Sequence, residues 1–249
     1  MDNNRNGLVS NSIVALIIAL GLIASSAIVS NSLIEIKGAK NSIIVTGSAK
    51  QQITSDMIVW SGYFSVKSPV LVDAYKHLES DRSIVKSYLL EKGVPEDQIV
   101  FSAISTYTTN KTLPSGQWTN EIDYYNLSQT VTISSKDIEK VTDISRQITE
   151  LINEGIEFQS NPPQYLYTQI AELKVTMLAE ATKDAAKRAE MIAENANSRI
   201  GSLRYADMGV IQITPLYSTE ISDIGMNDTS SIEKEITAVV HCEFEVKQS

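Results

Sequence analysis

Alternation of hydrophobic and polar positions predicts two strands near the start of the folded part of the chain. The segment IIVTGSA gives a first strand that ends at Gly47, and a long strand follows over residues 52–67. The two faces of this second strand differ, with Ile58, Trp60, Phe64 and Val66 on one and Met57, Val59 and Tyr63 on the other. Gly62 interrupts the pattern and predicts a bulge or a bend.

A helical pattern follows the second strand. Ser68 predicts an N-terminal cap with Pro69 in the first turn, and Gly93 predicts the end of the helix. Between these positions the apolar residues keep helical spacing, at Leu71, Tyr75, Leu78, Val85 and Leu89.

A β-hairpin is predicted around the turn LPSGQ, with strands over residues 99–109 and 118–134. One face of its second strand carries Tyr125, Leu127, Val131 and Ile133. Asp137 then predicts the cap of a second helix, which Gly155 ends, and a short strand is expected near residues 156–159.

A long helical pattern covers residues 165–197, which corresponds to roughly 50 Å of α-helix. One face consists mainly of small residues, namely Tyr167, Ala171, Leu178, Thr182, Ala185, Ala189, Ile192 and Ala196, with Val175 and Ala193 beside them. The opposite face is charged, with Glu172, Glu180, Lys183, Lys187, Glu190 and Glu194. We expect the small face to pack on the protein's own sheet; a seam with another subunit and a wall lining a cofactor are the alternatives.

The chain closes with two predicted strands over residues 202–214 and 234–247, separated by a loop over residues 215–233. Strands and helices are interspersed and include a hairpin, so regular βαβ alternation is absent from the pattern. The expected fold class is therefore α+β. We expect a largely antiparallel sheet covered by helices, including the long alanine-rich one, and preceded by a single N-terminal transmembrane helix.

An uncharged apolar run extends from Ile13 to Val29. At 1.5 Å per residue it covers roughly 25 Å, slightly less than a hydrocarbon core of ~30 Å. We expect residues 13–30 to form an uncleaved transmembrane anchor. A cleaved signal peptide, with Ala24 and Ser26 before the cut, and a buried helix are the alternatives. The resulting partition is tail 1–12, anchor or signal 13–30, polar stalk 31–42 and domain 43–249.

Charges beside this run carry little information about orientation. Arg5 precedes it, whereas Lys37 and Lys40 follow it, so the bias does not favour a cytoplasmic N-terminus. We expect a single-pass protein of the cell membrane whose C-terminal domain is extracytoplasmic, either periplasmic or at the cell surface. The protein would be secreted if the segment were cleaved.

Composition and net charge indicate which classes of macromolecule the protein can bind. Hydrophobic residues make up 43% of the chain and charged residues 20%, which is typical of a globular protein. The net charge is -9 with a pI of about 4.8. Because such a surface repels phosphate backbones, no nucleic-acid partner is expected.

Candidate catalytic and metal-binding side chains are sparse. His77 is expected to be a surface residue of the first helix. His241 and Cys242 are neighbours in the last strand, so their side chains point to opposite faces and do not form a nucleophile–base pair. Two histidines and one cysteine are too few for an ordinary zinc site, and the chain has no phosphate-binding glycine motif. We predict no catalytic residue, no cofactor and no bound metal.

Tyrosines are the remaining candidates for a small-ligand cleft. Those in the hairpin, beside Asp123, are Tyr124 and Tyr125, and those after the two prolines are Tyr165 and Tyr167. Half-buried strand tyrosines are the more common explanation of such residues, so the cleft is an alternative and not the leading interpretation.

Several stretches resemble, in order, the SIMPL-domain proteins. They are IIVTGSAKQQITSD from Ile43, LLEKGVPEDQIVFSAIST from Leu89, YYNLSQTVTISSKD from Tyr124 and the alanine-rich run NPPQYLYTQIAELKVTMLAEATKDAAKRAEMIAENANSRIG. The ending SIEKEITAVVHCEFEV resembles the closing strand of the subgroup that has an N-terminal hydrophobic segment. The resemblance covers about residues 43–247.

This resemblance implies an α+β fold in an extracytoplasmic, often membrane-anchored bacterial protein with a tendency to self-associate. It brings no general activity and no catalytic residues, and links to envelope or oxidative stress apply to some members. We therefore expect a non-enzymatic domain, anchored through residues 13–30, that acts through protein–protein contact as a homo-oligomer with no identified protein partner. A binding module for a small envelope ligand in the tyrosine-lined cleft is the alternative.

Overall fold

The computed structural model describes residues 18–19, 21–23, 25–30 and 41–248. The chain divides into two compact units. Of the described residues, the first unit comprises 18–19, 21–23, 25–30, 41–49, 178–209 and 239–248, and the second comprises 50–177 and 210–238.

Only part of the predicted anchor lies within the described residues. Residues 18–19, 21–23 and 25–30 are helical, and their large apolar side chains are exposed: Ile18, Leu22, Ile23, Ile28 and Val29. The tail 1–12, the rest of the segment 13–30 and residues 31–40 of the stalk lie outside the described residues, so the transmembrane helix stays a prediction. Among the residues described, no helix is both long enough and apolar enough to cross a membrane.

The elements of residues 41–248 are as follows. The strands are β1 (Ser42–Thr54), β2 (Met57–Ser68), β3 (Ile99–Phe101), β4 (Ser105–Thr112), β5 (Trp118–Ser135), β6 (Glu157–Ser160), β7 (Gln164–Leu166), β8 (Ser198–Met208), β9 (Gln212–Pro215), β10 (Met226–Asn227) and β11 (Glu233–Gln248). The helices are α1 (Leu71–Glu91), α2 (Ile138–Gln147) and α3 (Ile170–Asn195), with 3-10 turns at Glu96–Gln98 and Ile148–Glu154.

These strands form two sheets. One has six strands in the order β3–β5–β2–β6, with β4 paired to β5 and β7 paired to β2, and these pairings are antiparallel. The other has five strands in the order β1–β11–β9–β10, with β8 paired to β11. Here β11 is antiparallel to β8 and β9, whereas β10 is parallel to β9. The α+β class with largely antiparallel pairing is confirmed.

The expectation of a single sheet is wrong. The first two strands of the domain are neighbours in the chain, but β1 pairs with the last strand, β11, while β2 pairs with β5. Pairing between strands so distant in sequence depends on tertiary contacts, which local periodicity does not contain.

The core of the second unit lies between the six-stranded sheet and the helices α1 and α2. The face of β2 that carries Ile58, Trp60, Phe64 and Val66 is buried, and so is the grouped face of β5 from Leu127 to Ile133. Gly62 is not a bulge, because the register of β2 with β5 continues through it without a shift. A Cβ at this position would lie 2.5 Å from the ring of Phe158, so the glycine makes room for that ring beside Trp60.

Helix α1 begins two residues later than predicted. Ser68 is paired with Tyr125 as the last residue of β2, so it is unavailable as a helix cap, and its hydroxyl accepts a hydrogen bond from Val70 N at 3.1 Å. In the first turns Leu71 and Tyr75 are exposed. The buried stripe consists of Ala74, Leu78, Asp81, Val85 and Leu89. The predicted end is confirmed, since Gly93 has a φ of 80° and follows the last turn.

The hairpin and the second helix are confirmed with one change each. The first predicted hairpin strand is divided into β3 and β4, and the LPSGQ turn is closed by a hydrogen bond from Leu113 N to Gln117 O at 2.8 Å. The Asp137 carboxylate caps α2 by accepting from Lys140 N at 3.2 Å. The second half of this predicted helix is a 3-10 turn that ends at Gly155, with a φ of 89°.

Helix α3 starts at Ile170, so the predicted start at Tyr165 is wrong. Tyr165 belongs to β7, where it pairs with Ile58 of β2, and its N–H donates to Thr229 O at 2.8 Å. The predicted strand 202–214 is also divided: β8 begins earlier, at Ser198, and the chain leaves the ladder between Met208 and Gln212.

The first unit contains a close approach of helix to strand. Gly47 lies inside β1 and does not end it. A Cβ on Gly47 would lie 2.1 Å from Ala181 O and 2.7 Å from the Ala185 Cβ, so only glycine permits this distance. The Asp184 carboxylate accepts a hydrogen bond from Ser48 N at 2.9 Å. We conclude that this part of the alanine-rich helix packs on β1 of the protein itself, as expected.

The buried stripe of α3 differs from the predicted one. It repeats every four residues, at Leu173, Met177, Ala181, Ala185, Ala189 and Ala193. Ala185 and Ala189 were predicted, whereas Ala171, Ile192 and Ala196 are exposed, as is Val175. The prediction centred the buried face on the small residues and so included exposed positions, because alanine occurs both on buried and on exposed helix faces.

Candidate functional site

A cavity of about 340 Å³ lies in the second unit, where the end of β7 and the start of α3 meet β9, β10 and the beginning of β11. Part of its wall is apolar and consists of Leu166, Ile170, Ile211, Ile213 and Met226. The rest is polar and includes Thr168 and Asn227.

Backbone hydrogen bonds hold these segments together. Met226 of β10 pairs with Gln212 of β9, and Asp228 N donates to Ile213 O at 2.9 Å. On the other side, Asp56 N donates to Leu166 O at 2.9 Å. The cavity wall is therefore built from paired backbone and not from unsupported loops.

Lys234, at the start of β11, is the most unusual residue of the cavity wall. Only 2% of it is exposed. Its ammonium donates to Tyr165 O at 2.6 Å and to Asp228 O. None of the ion pairs within 4.0 Å among residues 41–248 involves Lys234. Burial lowers the pKa of Lys234 below its usual 10.5, and the charge of Asp228 opposes this effect.

The Asp228 carboxylate is turned towards its own loop. One oxygen accepts from Ser230 N at 2.9 Å and from the Ser230 hydroxyl at 2.6 Å, and the other accepts from Ser231 N at 3.2 Å. Burial alone would raise the pKa of Asp228, but these hydrogen bonds and the nearby Lys234 outweigh it, so the pKa lies below 3.8. The carboxylate is consequently ionised at neutral pH and its charge is spread into the loop.

The start of α3 is anchored by Asp56. Its carboxylate accepts from Thr168 N at 2.7 Å and from the Thr168 hydroxyl at 2.6 Å. Burial acts to raise the pKa of Asp56, yet these hydrogen bonds lower it on balance. The anchor fixes the loop between β7 and α3 and thereby one wall of the cavity.

The arrangement is suited to binding a small molecule. The cavity combines an apolar wall with a buried cation, and pockets of this kind orient a ligand through a few polar groups. In the part of the chain that the structure describes, no three His, Cys, Asp or Glu residues are placed to hold a metal ion. The absence of metal, cofactor and catalytic residues stays a prediction.

The predicted tyrosine-lined cleft is not formed as a single site. Tyr125 pairs with Ser68 at one end of β2, and Tyr165 pairs with Ile58 near the other. Ten residues of strand separate these positions by roughly 33 Å. Tyr124 adjoins Tyr125 at the first end, with Asp123 exposed beside it. These three hairpin residues are thus far from Tyr165.

The two tyrosines after the prolines do line the 340 Å³ cavity. Tyr165 is buried, and its hydroxyl lies 3.1 Å from the Thr142 hydroxyl, while its carbonyl accepts from Lys234. Tyr167 is half-buried in the same wall. Of the tyrosines predicted to line a cleft, Tyr165 and Tyr167 are therefore the two that share one cavity.

The histidines and the cysteine lie where the sequence placed them. His77 has a side chain that is 64% exposed, 3.8 Å from the buried Asp81 carboxylate. His241 is exposed, with Nδ1 2.9 Å from the Thr46 hydroxyl, whereas Cys242 is fully buried. Burial raises the pKa of the Cys242 thiol, which disfavours the thiolate.

Sequence reasoning missed Lys234, although the chain contains a signal for it. In the final strand every second residue from Ile236 to Phe244 is buried. Lys234 is in phase with these residues, so the alternation places a lysine on the buried face. Asp228 gave no such signal, because its role depends on the turn that brings its carbonyl to Lys234.

The family described as SIMPL, protein of unknown function (DUF541), matches residues 43–244. The search of curated proteins found no match. Since the family match covers most of the chain, the protein belongs to the SIMPL family.

Proposed function

We propose that this protein is a membrane-anchored interaction module whose folded domain lies outside the cytoplasm and self-associates without catalysing a reaction. The observation that carries the proposal is an exposed apolar arm on the second unit. The arm is defined as residues 109–124, the part of the β4–β5 hairpin that extends beyond the last pairing of β2 with β5, at Ser68 and Tyr125.

The arm presents large apolar side chains to solvent. Trp118 is 70% exposed, and Leu113 and Ile122 are 47% and 43% exposed. A two-stranded hairpin is only marginally stable by itself in water. Exposed apolar groups in such a position mark a contact surface, and tryptophan is enriched at the energetically dominant positions of interfaces.

The membrane anchor is supported by the uncharged run over residues 13–30. The large apolar side chains of its described helical residues are exposed, which a hydrocarbon phase would cover. A role in the envelope or oxidative stress response is proposed from the family resemblance alone.

The anchor is tested by fractionation. Full-length chain should stay in the membrane pellet after an alkaline carbonate wash, whereas residues 41–249 should be soluble. Intact full-length protein in the soluble fraction would exclude an anchor. A mature N-terminus near Ala27 would instead demonstrate a cleaved signal peptide.

Self-association is tested by cross-linking full-length protein in intact membranes. Wild type should give cross-linked species of two or more chains, and Trp118→Ser should reduce their yield several-fold. Tyr217→Ser is the matched control, because Tyr217 is 86% exposed in the same unit but lies outside the arm. The proposal would be contradicted if wild type gave no cross-linked species, or if Trp118→Ser and Tyr217→Ser reduced the yield of cross-linked species equally.

A further inference from the structure

We propose that the cavity beside Lys234 binds a small amphipathic monoanion, a carboxylate carrying one short apolar chain. This inference is independent of the self-association proposed above. It rests on the charge balance of the cavity wall, on the unusual position of Lys234 and on the division of the wall into a polar and an apolar part.

The charge balance favours an anion. The charged residues of the wall are Lys174, Asp228 and Lys234, so two positive charges oppose one negative charge. The Asp228 oxygens already accept hydrogen bonds from Ser230 and Ser231. One unit of positive charge therefore remains for a ligand.

Lys234 supplies the specific contact. A lysine ammonium has three N–H donors, and two are used by the carbonyls of Tyr165 and Asp228. A buried cation normally has an anionic partner, because transfer of an unpaired charge from water is costly. A ligand carboxylate would give Lys234 both a third acceptor and a counter-charge.

The apolar part of the cavity wall determines the chemistry of the rest of the ligand. Ile170, Ile213 and Met226 belong to its apolar part, which would cover a hydrocarbon chain. The volume of about 340 Å³ is near the lower end of the range of about 300–1,000 Å³ for ligand pockets. It accommodates one short chain and not a two-chain lipid.

The test is a calorimetric titration of the full chain in detergent micelles, with the signal of protein-free micelles subtracted. The probe is octanoate, compared with octanol, octylamine and acetate. Octanoate should saturate one site per chain with a Kd below about 1 mM. The other three should bind at least tenfold more weakly, because each lacks either the negative charge or the apolar chain.

Two variants locate the site. Lys234→Met should weaken octanoate binding at least tenfold while keeping a side chain of similar length. Should Lys234→Met lower the melting temperature too far to be measured, Ile170→Trp fills the cavity while leaving Lys234 in place, and it should also abolish binding. Val175→Trp is the control, since Val175 is 70% exposed on the same helix and does not line the cavity.

Four results would overturn the inference: no saturable octanoate binding, equal binding of octanol and octanoate, undiminished binding by folded Lys234→Met, or undiminished binding by Ile170→Trp. In each case Lys234 would be a structural tie between β7 and the loop before β11. Cross-linking through the arm is measured separately, so failure here leaves the proposed function untouched.

Discussion

The buried face of β2 in the second unit and the buried face of β1 in the first unit are packed in opposite ways. Around β2 the interior is filled by large rings: Trp60 and Phe158 are stacked with centroids 6.3 Å apart, and Phe64 lies 6.2 Å from Phe158. Around Gly47 of β1 the contacts are with Ala181 and Ala185, and backbone approaches backbone.

This difference in packing determines whether removal or addition of side-chain atoms destabilises each region. Large side chains gain stability from the apolar area they bury, so removal of atoms leaves a cavity. A seam of glycine and alanine contributes close contact and one backbone hydrogen bond to a side chain, so addition of atoms causes overlap. Substitutions that remove atoms should therefore destabilise the region around β2, whereas substitutions that add atoms should destabilise the region around Gly47.

Truncation of the large-residue core should have the largest effect. Trp60 is fully buried, and its indole N–H donates to the Ser160 hydroxyl at 3.0 Å. Trp60→Ala should lower the free energy of unfolding of residues 41–249 by about 3–5 kcal/mol, measured by urea denaturation with circular dichroism. Trp118→Ala, at a concentration where the chain is monomeric, should change it by less than about 0.5 kcal/mol. Similar losses in both would refute the assignment of the core.

Addition of a single methyl group should strongly affect the small-residue seam. Gly47→Ala brings a Cβ within 2.1 Å of a backbone oxygen, which moves only if helix and strand separate. We expect a loss of about 3 kcal/mol in the same assay. Gly62→Ala meets a ring edge at 2.5 Å and should cost about 1 kcal/mol, because a side chain shifts more easily. A smaller effect at Gly47 than at Gly62 would contradict the close approach.

Enlargement further along α3 should have an intermediate effect. Ala189 is fully buried, so Ala189→Leu should cost about 1–3 kcal/mol through overpacking. Leucine is nearly as good a helix former as alanine, so helix propensity does not explain such a loss. Ala179→Leu is the matched control, since Ala179 is exposed on the same helix. Equal thermal stability of the two variants would show that the four-residue stripe is not a packed face.

The smallest effect concerns the hydrogen bond at the seam. The Asp184 carboxylate accepts from Ser48 N, which lowers the pKa of Asp184, and Arg188 at 2.8 Å acts in the same direction. A lowered folded-state pKa adds stability that is present above the ordinary value of 3.8 and is lost as the pH falls through the lowered pKa.

Asp184→Asn should accordingly lower the free energy of unfolding by at most about 1 kcal/mol at pH 7. The difference from wild type should shrink as the pH falls from about 4 through the lowered pKa of Asp184, because the wild-type carboxyl becomes protonated over that range. Lys183→Gln, one residue away and exposed, is the control. A difference that is constant between pH 7 and pH 3 would assign the loss to packing and not to charge.

Several local features could be predicted because their physical cause lies within a few residues. The alternation in β2 correctly placed Trp60 and Phe64 on one face and Tyr63 on the other, and the structure shows that the first face is buried. The cap by Asp137 and the helix ends at Gly93 and Gly155 were also predictable, since each depends on local backbone geometry. For the cavity, the sequence predicted Tyr165 and Tyr167 as ligand-site candidates. It also contained a signal for Lys234, which is in phase with the buried residues of the last strand.

Other features required the whole fold. Whether residues 165–166 join a helix or pair with β2 depends on Ile58, which is more than a hundred positions away in the chain. Lys234 becomes a cavity residue only where β11 passes Tyr165 and the loop of Asp228. Ala181 and Ala185 of α3 lie close to β1 because Gly47 has no side chain to hold the helix away. Periodicity therefore decides which face of an element is apolar, and contacts between distant segments decide what that face meets.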